Sequence, residues 1–135
     1  MLSKKTRYAI LALVRLAKEF GKEPLPISQI SKDEMIPQRF LESILLDLKR
    51  TGILGSRLGK AGGYYLIKKP EEIILLEIVR RFEGGVAMLS CVSHNAYQPC
   101  EFYKDEAKCK IRKVFGKARD ASAAILQKTT LADLV

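Results

Sequence analysis

Residues 28–69 read SQISKDEMIPQRFLESILLDLKRTGILGSRLGKAGGYYLIKK. Three patterns succeed one another in this stretch. The first, over 28–34, predicts a short helix with Ser28 as N-cap and Ile30 turned inward. Met35-Ile36-Pro37 then makes a turn. A second helix is predicted from Pro37 to about Thr51, because proline suits the first helical position, where its missing N–H has no intrahelical partner. Phe40, Leu41, Ile44, Leu45 and Leu48 are its expected buried stripe. Gln38, Arg39, Glu42, Ser43, Asp47 and Lys49 lie elsewhere on the circumference, and Gly52 closes the helix. Beyond Gly52 the period changes. Residues 53–58 and 64–68 are short β-prone runs flanking Gly59-Lys60-Ala61-Gly62-Gly63, the pattern of a glycine-tipped hairpin. Arg57 and Lys60 sit at its tip, with Lys68 and Lys69 at its base.

The flanks are helical. Residues 4–20 place Ala9, Ile10, Leu13, Leu16, Ala17 and Phe20 on one face, widened by Leu11 and Val14, which predicts deep burial or a partner surface. Residues 71–83 predict another helix, with Glu71 and Glu72 at its positive end and Gly84-Gly85 as its stop. Residues 86–105 show no period. A long helix is predicted from about 105 to 128, with Ile111, Val114, Phe115, Ala118, Ser122, Ile125 and Leu126 in one stripe. Such a stripe needs cover, from its own chain or from a second copy. The fold class is therefore mainly α with a small β wing: a winged helix-turn-helix plus a long C-terminal helix, a dimerisation helix if a second copy supplies the cover. The expected division is 1–84 for the DNA-binding domain, 85–105 for a cysteine-containing sensor loop, and 106–135 for the dimerisation helix and tail.

Composition bounds what this architecture can do. The chain has 135 residues, 47% hydrophobic and 29% charged, which suits one globular unit and excludes wholesale disorder. The basic, then apolar, start resembles a leader. Arg15, Lys18 and Glu19 interrupt its apolar run and no small-residue cleavage site follows, so a soluble cytoplasmic protein with no membrane partner is expected. Formal net charge is +9, and residues 1–69 hold 14 Lys/Arg against 6 Asp/Glu, net +8. Clustered cations of this kind gain free energy by releasing counterions from a phosphate backbone.

Helix pair and basic wing together point to double-stranded DNA. The second helix of such a pair enters the major groove and reads base edges with its N-terminal residues. Gln38, Arg39 and Ser43 are placed for this, with Ser28 on the preceding helix. Glu42 is placed to accept from a cytosine amine or to repel wrong registers. Arg57 and Lys60 are the wing residues placed for phosphate or minor-groove contact. A two-fold homodimer would set two reading helices one DNA turn apart and favour a palindromic operator. An enzyme is not expected. GKAGG lacks the helix that a nucleotide loop requires, no nucleophile–base pattern is present, and His94 is the only histidine.

Cys91, Cys100 and Cys109 are the only cysteines. An odd, clustered set argues against a disulfide framework and for metal, cluster or redox chemistry. Thiolates suit iron–sulfur centres and zinc. A metal-free thiol switch and simple burial are the other readings. Lys104, Lys108 and Lys110 would favour thiolate at these positions.

The segments KTRYAILALVRLA, ISQIS, PQRFLESILLDLKRTGIL, GKAGGYYL, PEEIILLEIVRRFEG and TTLADLV, in that order, resemble the Rrf2 family of bacterial transcription regulators. Its members include regulators of iron–sulfur biogenesis, nitric-oxide response and cysteine metabolism. The resemblance implies a homodimeric winged-helix regulator with an iron–sulfur cluster held by Cys91, Cys100 and Cys109, or else a cofactor-free regulator controlled by a partner protein or small metabolite; a repressor is expected. Spacing departs from that pattern, with eight residues between successive cysteines. The fourth ligand is left to His94, Asn95 or Glu101. The wing departs too. Many relatives carry Arg immediately before the first wing glycine, where this chain has Leu58. Strand alternation turns Arg57 to the opposite face and leaves Lys60 as the tip contact.

Overall fold

The computed structural model describes residues 2–102 and 105–135. Helix α1 spans Lys4–Lys18, α2 Ile27–Glu34 and α3 Gln38–Arg50. Strands β1 (Leu54–Arg57) and β2 (Gly63–Leu66) form an antiparallel hairpin, with Leu54 opposite Leu66 and Arg57 opposite Gly63. Helix α4 spans Leu75–Glu83 and α5 Lys110–Lys128. Single 3-10 turns occupy Pro70–Glu72, Ser90–Val92, Glu106–Lys108 and Leu131–Leu134.

Each terminus has a local cause. The Ser3 hydroxyl accepts from the Thr6 N–H and starts α1. Pro26, not Ser28, is the N-cap of α2; the backbone becomes helical one residue earlier than expected and Ser28 lies exposed within the first turn. Pro37 is likewise the N-cap of α3, just outside its expected place. Between α2 and α3 the chain reverses at Met35, whose φ of 52° lies in the left-handed region. Ser31 Oγ donates to the Ile36 carbonyl at 2.6 Å and the Ile36 N–H donates to the Ser31 carbonyl at 3.0 Å, which holds that reversal.

Leu13 and Leu16 of α1 meet Leu41, Ile44, Leu45 and Leu48 of α3 in the core, all at most 1% exposed. Burial of each such leucine or isoleucine contributes about 1.5–3 kcal/mol. Phe40 does not join that stripe. It sits about 100° round the helix from Leu41, is 57% exposed, and has its ring 6.3 Å from that of Tyr8. Two expected helices begin later than their sequence suggests. Ile73 and Ile74 are extended because Ile74 bridges Thr130 and the Leu131 N–H donates to the Ile73 carbonyl. Cys109 is extended as well, so α5 starts at Lys110 rather than near 105.

No residue of α5 is buried. Ile111, Val114 and Ile125 on its stripe are 64%, 63% and 66% exposed. A cavity of about 590 Å3 runs between its C-terminal half, α1 and α4, lined by Ile10, Val79, Met88, Ile125 and Leu126 among others.

Candidate DNA interface and cysteine cavity

Gln38, Arg39, Glu42 and Ser43 are all exposed on α3, opposite its buried stripe. Leu46, Lys49 and Arg50 continue that face. Leu46, 46% exposed, lies near its centre, an apolar side chain among polar neighbours. Two ion-pair sets tie the first three helices together. Lys5 Nζ reaches Asp47 Oδ2 at 3.2 Å, joining α1 to α3. Arg15 bridges Glu19 and Asp33, each at 2.9 Å, joining α1 to α2. The hydrogen bond from Arg15, with a second from Gln29, holds the Asp33 carboxyl below its ordinary range.

The wing stands beside this face. Leu25 and Tyr64 exchange backbone hydrogen bonds of 2.8 Å, which dock β2 on the connection between α1 and α2. Arg57 is exposed but turned to Glu23, 3.3 Å away, in accord with strand alternation. Lys60 is exposed at the tip, and Leu58 beside it is 95% exposed.

The three cysteines come together. Cys91, Cys100 and Cys109 line one cavity of about 370 Å3, with Leu89, Phe102, Glu106, Ile111 and Arg112. Cys91 is buried and the other two are half-buried. All are free thiols. Between them, Arg112 and Glu106 hydrogen-bond to every one of them. Arg112 Nε donates to the Cys91 carbonyl at 3.2 Å, and the Arg112 N–H donates to Cys109 Sγ at 3.4 Å. Glu106 Oε1 accepts from the Cys100 N–H at 3.0 Å and Oε2 accepts from the Tyr97 hydroxyl at 2.8 Å. Arg112 Nε lies 3.6 Å from Glu106 Oε2. The Cys100 amide, then the Tyr97 hydroxyl, lower the Glu106 pKa, and the same hydrogen bond raises that of Tyr97. Further along α5, Arg119 Nη1 donates to the Val92 carbonyl at 2.5 Å.

None of the three expected fourth ligands reaches this cavity. His94 is exposed and lies 3.9 Å from Asp120; Asn95 and Glu101 are exposed, and none of the three lines it. Glu106 does, and no spacing rule singles it out. Of the expected lysines, Lys108 pairs with Asp105 at 3.8 Å, Lys110 is exposed at the start of α5, and Lys104 lies outside the described residues. Among the described residues, the guanidinium of Arg112 is the cation at the cavity wall. In kind, three thiols and a carboxylate around one apolar cavity fit an iron–sulfur cluster. The site is open rather than preassembled: among the described residues, no three His, Cys, Asp or Glu side chains converge to hold a metal ion.

A helix-turn-helix with an antiparallel wing beside its second helix defines a winged-helix DNA-binding regulator. Residues 2–135 match the family model Rrf2, described as an iron-dependent transcriptional regulator. The chain belongs to the Rrf2 family. It is 41% identical to an HTH-type rrf2-like protein of Rhodobacter capsulatus, over 100% of this chain and 92% of that one. It is similar to the solved structure of CymR, the global cysteine regulator of B. subtilis, with a TM-score of 0.81 and 29% identity over 99% of this chain and 95% of that one. It is 27% identical to the transcriptional regulator IscR of Cronobacter sakazakii, over 99% of this chain and 79% of that one. The relatives are regulators of transcription, not enzymes. No helix among the described residues is long and apolar enough to cross a membrane.

Proposed function

We infer that this chain is a cytoplasmic repressor that binds a palindromic operator as a homodimer and senses through Cys91, Cys100 and Cys109. The observation that carries the sensing role is the shared cavity at the foot of α5. An exposed apolar stripe on the same helix supports pairing with a second copy. Gln38, Arg39, Glu42 and Ser43 read bases in the major groove, Ser28 and Lys60 contact phosphate, and Arg57 steadies the wing through Glu23. An iron–sulfur cluster on the three thiols supplies redox- and iron-dependent binding chemistry. This chain's residues turn that event into a change of head geometry, because Arg112 and Arg119 join the cysteine segment to α5. The effector acts to the extent that it binds two dimer geometries unequally.

Protein purified without oxygen should carry iron, sulfide and visible absorbance, and its operator affinity should change when these are removed. A colourless protein whose operator affinity ignores thiol state would end this reading. The open arrangement of the thiols and the likeness to CymR favour a second one, a cofactor-free regulator controlled by a partner protein or metabolite. Under it, replacing all three cysteines by serine leaves regulation intact.

A further inference from the structure

We propose that Glu106 is the fourth protein donor of the cysteine site, a carboxylate joining three thiolates. This rests on the cluster-binding reading above and adds the residue that completes it. Glu106 is the one carboxylate among the residues lining the cavity of Cys91, Cys100 and Cys109. It stands on the turn Glu106–Lys108, immediately before Cys109, and holds the Cys100 amide. It is therefore tied to two of the three cysteine segments before anything binds. Arg112, which holds the third through the Cys91 carbonyl, pairs with Glu106 and balances its charge. To hold a thiophilic iron species the three thiols would each have to release a proton to solvent, whereas the Glu106 carboxylate, already anionic, would release none. Arg112 then stays at the wall as countercharge for an anionic donor set. Hard carboxylate oxygen beside soft thiolates makes one corner of such a site more labile than the rest, which suits a site that must gain and lose its cargo.

The test is anaerobic reconstitution with ferrous iron and sulfide of the full chain and of Glu106→Gln, Glu106→Cys and His94→Ala. Iron and sulfide content, visible and electron paramagnetic resonance spectra, and the half-life of the absorbance are read. Circular dichroism of each metal-free variant checks its fold. Glu106→Gln retains an acceptor for the Cys100 amide but is a poor ligand, and should lose the absorbance about tenfold faster or more. Glu106→Cys should keep its iron and sulfide with a spectrum shifted towards that of all-thiolate ligation. His94→Ala should match the unaltered chain. The proposal is overturned if Glu106→Gln keeps the original spectrum and half-life, or if Glu106→Cys loses iron as Glu106→Gln does, the result expected of a merely structural role. Both leave the cluster reading standing. An unaltered chain that takes up neither iron nor sulfide overturns the two together.

Discussion

Lys49 Nζ donates to Ser56 Oγ at 2.6 Å, so the last turn of α3 is hydrogen-bonded to the first strand of the wing. This bond is exposed and contributes little to folding. It joins the two elements proposed to meet DNA together. Ser56→Ala should leave the melting temperature nearly unchanged and weaken operator binding about threefold to fivefold, equivalent to about 1 kcal/mol, as read by fluorescence anisotropy. A change in stability with unchanged affinity would contradict this.

Arg39 and Lys60 are expected to fail differently. Arg39 lies on the exposed first turn of α3, Lys60 at the wing tip. Arg39→Ala should relax base preference at one position, with discrimination falling by about 1–3 kcal/mol. Lys60→Ala should weaken binding to all sequences and reduce the slope of log affinity against log salt by about 1. Titrations of a selected palindrome and its single-base variants at several salt concentrations separate the two.

Gly63 shows how tightly the wing is seated. Its φ is +152°, and a Cβ there would lie 2.3 Å from the Leu25 carbonyl oxygen. Gly63→Ala must therefore break the bridge between Leu25 and Tyr64 and should cost about 2 kcal/mol or more. Gly59→Ala is the control. With φ at +101° and nothing within 4 Å, it should cost only about 1 kcal/mol of backbone strain. Equal losses in chemical denaturation would show that contact with Leu25 is not the reason.

Val114 and Ile125 are over 60% exposed on the outer stripe of α5. Val114→Asp with Ile125→Asp should halve the sedimenting mass and sharply reduce operator affinity, while secondary structure is retained. Persistence of a dimer would place the interface elsewhere.

Glu83 links the end of α4 to the start of α1. It accepts from the Thr6 hydroxyl and, at 2.8 Å, from the Ser3 N–H. The Thr6 hydrogen bond is the main cause holding its pKa below the usual glutamate range. A carboxyl depressed on folding stabilises the protein above its unfolded pKa, and that contribution is lost as pH falls through the folded value. Thr6→Val should move the midpoint of acid unfolding to higher pH, and the two proteins should converge in stability once Glu83 is protonated. Parallel acid-unfolding curves would refute the link.

Periodicity carried most of the fold. Leu41, Ile44, Leu45 and Leu48 declare their buried stripe by spacing alone, and the glycines between 59 and 63 declare the hairpin. Alternation along β1 also foretold that Arg57 turns aside from the tip. Ile73 and Ile74 were misread as helical because their extension depends on Thr130 and Leu131, more than fifty residues away. Pro26 took the capping place expected of Ser28 because proline's fixed φ already suits a residue just outside a helix. The cysteine cavity was legible only as three thiols in one segment. Its wall depends on hydrogen bonds between residues without periodic order, so neither Glu106 nor Arg112 could be singled out from spacing.

Helix α5 is moored at both ends. Arg112 in its first turn and Arg119 at its midpoint grip the 91–92 backbone; beyond its end the Thr129 carbonyl accepts from the Leu75 N–H and Leu131 inserts into the core. Nineteen helical residues make a rod about 28 Å long. A rod hydrogen-bonded along its first half and again just past its last turn does not tilt alone: a tilt of α5 would have to carry the 91–92 segment and the start of α4 with it.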